Sequence, residues 1–369
     1  ILPMVVLRRL DAMLESTKVA VEEEMKLEKE NGFDDLDEHA IKNITGLSYY
    51  NTSRWTLARL KQQATGDNDI LYDNFAEYLN GFSKNVSDVL TKFEFFAKAR
   101  KLADRDCLLP LIEKITDPFI NLTDQPVKDP NGLTLPAVSN IDMGTIFEEL
   151  LRRFNEENNE EAGEHFTPRD VIHLLSQMVF EPVLDDLPQI IQIYDPACGS
   201  GGMLTEASDY LISRGVAQDA IEISGTEINP ETYAICKSDL IIKNVNPDGI
   251  HCGNTLTINH FANRTFGYMI TNPPYGKSWK EDKKKIYHDK ELTDSRFFLP
   301  LQQFDGETAD VDCCTRTSDG QLMFVLEMLD KLKPLDVQPQ GSRIASVHNL
   351  SLLHICRCRR TLGGRARWS

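Results

Sequence analysis

The eight residues Asp195-Pro196-Ala197-Cys198-Gly199-Ser200-Gly201-Gly202 constrain the fold more than any other stretch of this chain. They follow a β-rich run at 189–194 and precede a helical pattern at 201–214. Three glycines in four positions let a backbone turn tightly and pass close to a ligand. Downstream the alternation continues, with a strand at 221–226 ending on Glu227, a helix at 230–243, and strand candidates at 250–257 and 266–271. Strand, glycine turn, helix, strand, helix predicts an α/β doubly wound sheet with a cofactor at the carboxyl ends of its strands.

The turn excludes two common cofactor classes. Leu204 stands where the third glycine of a G-x-G-x-x-G fingerprint belongs, and the Lys-Ser/Thr of a phosphate loop is missing. An acidic residue opening the turn suits a sulfonium or ammonium better than a pyrophosphate. Asp195, Ala197, Gly199, Ser200, Gly201 and Gly202 are therefore the candidate cofactor contacts. Glu227, at the end of the next strand, either accepts hydrogen bonds from two ribose hydroxyls or is a surface carboxylate at the start of the following helix.

A second constellation, Asn272-Pro273-Pro274-Tyr275, ends a later strand. Two prolines remove two backbone donors and leave their carbonyls as acceptors. Asn272 Oδ1 and the Pro273 carbonyl form a pocket for a planar NH2 group, on whose ring Tyr275 can stack. An exocyclic amine conjugated into a heterocycle is a weak nucleophile, and two acceptors on its hydrogens favour a more tetrahedral nitrogen that can attack an electrophilic methyl. Positioning and electrostatics then carry the reaction. Cys198 lies in the wrong loop for a ring-attacking thiolate and reads as a buried structural cysteine.

Composition bounds the rest. A chain of 369 residues that is 41% hydrophobic and 26% charged has a globular core. Its net charge of −17 argues at first against a nucleic-acid partner. The charge is uneven: residues 1–250 hold 23 basic and 44 acidic side chains, residues 251–369 hold 17 and 13. Between Arg264 and Lys290 seven basic residues face three acidic ones, and Lys277, Lys280, Lys283, Lys284 and Lys285 form either a DNA-phosphate-binding loop or a solvated one. The eight cysteines show no zinc spacing, so no metal site is expected, and with no signal peptide or long apolar run the chain reads as reduced, cytoplasmic and outside the membrane.

Apolar residues recur at helical spacing up to about residue 113, as in Leu7, Leu10, Leu14 and Val86, Val89, Leu90, Phe93, Phe96. The acidic run 22–30 reads as a solvated helix face. Five prolines and glycines in 117–140 suit a linker, and 143–154 is helical in pattern.

Together these motifs resemble the amino-methyltransferases that use S-adenosyl-L-methionine, and 138–349 looks like the methylation subunit of type I restriction-modification systems. Residues 146–150, Glu164-His165-Phe166-Thr167-Pro168-Arg169, Asp195 to Gly202, 225–227, Asn272 to Tyr275, 319–322 and 341–345 fall in that family's order. The resemblance implies a Rossmann-like methyltransferase sheet (138–349) preceded by an all-α N-terminal domain (1–137). It implies site-specific transfer of a methyl group to adenine N6 in DNA, beside a specificity subunit, a restriction subunit and a second copy of the chain. It also implies that Glu164 to Arg169 contact the methionine part of the cofactor, where the residues alone read as a helix start with Thr167 as N-cap and Pro168 in the first turn. Asn254 would lie near the cofactor's adenine. The likeness stops at Leu350, and 350–369, with five arginines, two cysteines and Trp368, reads as an out-of-frame continuation. Two other readings stand beside this one: a methyltransferase for protein glutamine amides, and a non-catalytic assembly component.

Overall fold

The computed structural model describes residues 2–30, 37–157, 167–302 and 307–348. They form two compact units.

The first unit takes residues up to 162 together with 230–248. Among the described residues, eight α-helices run from Leu2–Leu14 to Leu108–Ile115, followed by a small hairpin (Val127–Lys128 with Thr134–Leu135) and the helix Asn140–Glu157. The positions marked by helical spacing meet in one core: Leu7, Leu10, Leu14, Val86, Val89, Leu90 and Phe93 are buried and Phe96 packs at its edge. The helix Pro230–Ile242 belongs to that same core through Ala234, Ile235, Ile241 and Ile242, and its Tyr233 hydroxyl and Lys237 Nζ reach Asp88 Oδ2 at 2.6 and 3.0 Å. Buried Arg9 ties down the proline-rich segment, donating to the carbonyls of Leu122 and Val138 and to Asn140 Oδ1 at 2.6, 3.0 and 2.9 Å. In the helix Lys18–Glu30 only Lys18 and Val21 are buried; the acidic run is exposed or half-buried, and Glu22 pairs with Arg59.

The second unit takes 163–229 and residues from 249 onward. Its sheet has five parallel strands among the described residues: β1 (Ile191–Asp195), β2 (Ile221–Glu227), β3 (Ile250–Cys252), β4 (Tyr268–Thr271) and β5 (Arg343–Ser346), in the order β5-β4-β1-β2-β3. Ile191, Ile193, Ile223, Met269 and Ile270 are buried, as parallel strands covered on both faces require. The order reverses beside β1, and such a switch point is where doubly wound sheets bind ligands.

The strands are shorter than the apolar runs suggested. β3 stops at Cys252 because Asn254 turns the chain, its Oδ1 accepting from the Leu256 N–H at 3.0 Å and its carbonyl from Thr257. Phe266 makes only an isolated bridge to Leu332 before β4 begins at Tyr268. The basic segment after β4 is a helix, Lys280–Ile286, rather than a loop. Two antiparallel hairpins follow, pairing Tyr287–His288 with Glu291–Leu292 and Phe298–Gln302 with Thr308–Asp312. Trp279, Ile286 and Phe297 anchor this excursion against Met323 of the helix Gly320–Asp330. Among the described residues no helix is long and apolar enough to cross a membrane.

Candidate active site

Because the strands are parallel, Asp195, Glu227 and Thr271 end β1, β2 and β4 on one edge of the sheet. Gly199 (φ +56°) and Gly201 (φ +88°) take left-handed backbone, so the chain reverses within four residues and the Gly201 N–H closes the turn on the Cys198 carbonyl at 2.8 Å. Gly201 caps the helix Gly202–Ser213. A Cβ at Gly225 of β2 would meet Cys198 Cβ and Sγ at 3.0 Å and Leu204 at 3.1 Å, so the turn lies on a strand that has no side chain at that point. Cys198 is buried there, in keeping with a packing role.

The two acids of this edge do different work. Asp195 is 1% exposed, and its Oδ1 accepts from the Ala197 N–H (2.9 Å) and the Thr271 hydroxyl (2.6 Å), bracing the turn against β4. Burial pushes its carboxyl up to about 7; the two hydrogen bonds oppose the shift and the charge of Glu227 adds to it. Glu227 takes the Gly199 N–H on Oε2 (3.0 Å) and the Asn229 N–H on Oε1 (2.7 Å). These two amides orient the Glu227 carboxylate. Ile228 beside it is 62% exposed, an apolar surface at the strand end that the motif reading passed over.

The turn is also held from behind. The Thr255 hydroxyl donates to the Pro196 carbonyl at 2.5 Å. Arg296, 2% exposed, donates to the carbonyls of Thr255 (2.7 Å) and Leu256 (3.2 Å), to Glu327 (2.8 Å) and to Asp294 (2.6 Å). Burial alone would lower its pKa, but these carboxylates hold the guanidinium charged and above its ordinary range. Tyr194 of β1 closes the network by donating to Glu327 at 3.1 Å. Nothing in sequence marked the pairing of Arg296 with Glu327, 31 positions away, or of Tyr194 with Glu327, 133 positions away.

At the end of β4, Pro273 is buried while Asn272, Pro274 and Tyr275 are half-buried. The Tyr275 hydroxyl donates to Asn272 Oδ1, and Asn272 Nδ2 donates to Thr167 Oγ1 at 2.9 Å. Burial raises the Tyr275 pKa, against the pull of that bond, so the hydroxyl keeps its proton. Thr167 is not the helix cap that the sequence suggested: the helix is Arg169–Phe180, Pro168 is at the cap position, and no side chain caps it. The proline ring fixes an extended entry that leaves the Thr167 hydroxyl to Asn272. Arg169 pairs with Glu206 at 3.0 Å, while Glu164, His165 and Phe166 lie outside the described residues. So do residues 350–369.

Asn254 Nδ2 donates to Asp282 Oδ1 at 2.7 Å, linking the turn after β3 to the basic helix. On that helix Lys280, Lys283, Lys284 and Lys285 are exposed, as is Lys277 before it. Lys284 pairs with Glu281 at 2.7 Å and Lys283 lies over the rings of Trp279 and Tyr287 at 5.8 and 4.7 Å. Thus the sheet edge brings together Asp195, the glycine turn, Glu227, Thr167 and Asn272 to Tyr275.

A family model described as N-6 DNA Methylase matches residues 139–334, and one described as HsdM N-terminal domain matches residues 1–115. The type I restriction enzyme MpnII methylase subunit of Mycoplasma pneumoniae is 28% identical over 175 residues, 44% of this chain and 31% of that protein. The MjaIX methylase subunit of Methanocaldococcus jannaschii is 32% identical over 143 residues, 38% of this chain and 24% of that protein. These matches thus span a third or less of the relatives' own length. The crystal structure of a type I restriction-modification methyltransferase subunit from Streptococcus thermophilus has the same fold, with a TM-score of 0.59 and 20% identity, covering 90% of this chain and 66% of that one. With the first of these models covering more than half of its 369 residues, the chain belongs to the N-6 DNA methylase family.

Proposed function

We propose that this chain transfers a methyl group from S-adenosylmethionine to the N6 amine of adenine in DNA, as the modification component of a type I restriction-modification complex. The observation that carries this reading is one sheet edge holding two complementary receptors. Glycine-turn amides, an oriented carboxylate at Glu227 and the apolar Ile228 suit a nucleoside joined to an amino acid. Acceptors at Asn272 and Pro273, with an aromatic ring beside them, suit a planar amine.

The residues present fit that cofactor. Glu227 would take its ribose hydroxyls, Ile228 its adenine face, and the amides of Ser200 and Gly202 at the start of the helix Gly202–Ser213 its carboxylate. Asp195 acts through the turn it braces, and Asn254 by fixing the bend after β3. When bound, S-adenosylmethionine supplies a methyl group on a positively charged sulfur. Asn272 Oδ1 and the Pro273 carbonyl hold the two N–H groups of the base, directing the nitrogen lone pair at that methyl. The amine would take that methyl as its C–S bond breaks, and the surplus proton on nitrogen would leave to water. Tyr275 stacks on the ring, which must leave the duplex because its amine is unreachable inside it. The lysines at 277, 280 and 283–285 hold phosphates beside the extruded base.

The adenine acceptor takes precedence over a protein glutamine amide because the matched family model is that of N-6 DNA methylases. The DNA site is read by a specificity subunit, joined by restriction subunits and a second copy of this chain, in the cytoplasm. The test is transfer from labelled cofactor, with and without a specificity subunit. Label in DNA that depends on that subunit is expected. Label in protein alone selects the glutamine reading, and none in either a non-catalytic component.

A further inference from the structure

The side-chain amide of Asn272 is nearly symmetric in shape and opposite in chemistry at its two ends. Rotated by half a turn, it would present Nδ2 to the incoming amine, and two donors would face each other. In the structure two hydroxyls set its orientation. Tyr275 donates to Oδ1, and Thr167, 105 positions earlier, accepts from Nδ2 at 2.9 Å. The pairing suits each hydroxyl: a phenol is the better donor and an aliphatic hydroxyl the better acceptor. A threonine at a helix start ordinarily caps the helix, yet here no side chain does so.

An amide oxygen has two lone pairs, so Asn272 Oδ1 can take an amine N–H beside the Tyr275 hydroxyl. The bond to Thr167 uses Nδ2 and no lone pair of Oδ1, so it restrains the amide whether or not a base is present. We infer that Thr167 is a positioning residue that fixes the Asn272 amide with Oδ1 toward the target amine. The inference rests on the adenine-amine reading above and adds to it a role for Thr167 separate from cofactor binding.

The experiment compares Thr167→Val and Thr167→Ser in the full chain assembled with its specificity subunit. Three quantities are measured: kcat for methyl transfer, cofactor affinity by calorimetry, and the binding preference for target DNA carrying adenine over the same DNA carrying purine, which lacks the 6-amino group. Thr167→Val is expected to lower kcat roughly 10- to 100-fold, to remove the preference for adenine, and to leave cofactor affinity within about 3-fold. Thr167→Ser, which keeps the acceptor, is expected to restore all three to within about 3-fold of the wild type. Unchanged kcat and preference in a folded Thr167→Val protein would overturn the inference. So would a loss of cofactor affinity matching the loss of kcat, since Thr167 would then be a cofactor ligand. A wild-type complex that methylates no adenine removes the underlying reading instead, and this inference with it.

Discussion

The two ends of the site are built from different materials. At the proposed cofactor end, left-handed glycines, a side-chain-free strand at Gly225 and a buried network running from Arg296 to Pro196 fix a backbone surface. At the proposed base end, an asparagine and a tyrosine hold each other through one hydrogen bond, and a threonine holds the asparagine through another. The first end is a backbone surface, whereas the second is set by side-chain hydrogen bonds. A site of this kind separates affinity for cofactor from competence toward the base, and substitutions at the two ends should have separable effects.

The largest effect is expected from Asn272→Ala. Removing one of two acceptors on the amine should lower kcat about 100- to 1,000-fold and leave cofactor affinity within about 3-fold. Equal losses in both quantities, measured by single-turnover methyl transfer and by calorimetry, would erase the division between the ends. Charge reversal of Lys283, Lys284 and Lys285 to Glu comes next. It should weaken DNA binding by the assembled complex at least about 10-fold and make the dependence of log K on log salt shallower by about 1 to 3. Unchanged affinity and slope would make this helix a solvated face.

Gly225→Ala tests the cofactor end. The new methyl must displace Cys198 or Leu204 by a few tenths of an ångström, and overpacking of this kind costs about 1–3 kcal/mol. Cofactor affinity should fall while kcat at saturating cofactor changes little. The reverse pattern would show that the turn's geometry serves the base.

The smallest effect concerns pH. The folded-state pKa of Asp195 is raised to about 7, above an unfolded value near 3.9. The folded state therefore holds the proton more tightly between these values. The stability this contributes is fully present below about pH 4 and is lost as pH rises through 7. Asp195→Asn, which keeps the acceptor oxygen without the charge, should melt a few degrees above the wild type near pH 8, with the gap closing toward pH 5. A pH-independent gap would mean that the carboxyl is not protonated on folding.

What could be read in advance follows the same division. The glycine turn, Glu227 and the Asn272 to Tyr275 segment were legible because each is a short run whose chemistry depends on its own neighbours. The succession of strands and helices and the helical core followed from periodicity, whereas the strand order rests on pairings between distant segments. Arg296 and Glu327 were not legible, because a buried ion pair looks in sequence like two surface charges until the fold brings them together. Thr167 looks like a cap in sequence because local propensity ignores a hydroxyl's distant partner, and the basic helix looks like a loop because its apolar contacts through Trp279 and Ile286 are tertiary. The helix Pro230–Ile242 shares the core of the first unit, and a pattern buried nearly all round does not name its partner. The net charge of −17 misled at first because a local run of lysines matters more to phosphate than the sum over the chain.

The most direct test of the account is the chemical identity of the product. DNA labelled from the methyl group of S-adenosylmethionine by this chain combined with a specificity subunit can be digested to nucleosides and separated. The account predicts label in N6-methyldeoxyadenosine, lost with Asn272→Ala while cofactor binding persists. Label in a methylated cytosine, or in protein with none in DNA, would contradict it.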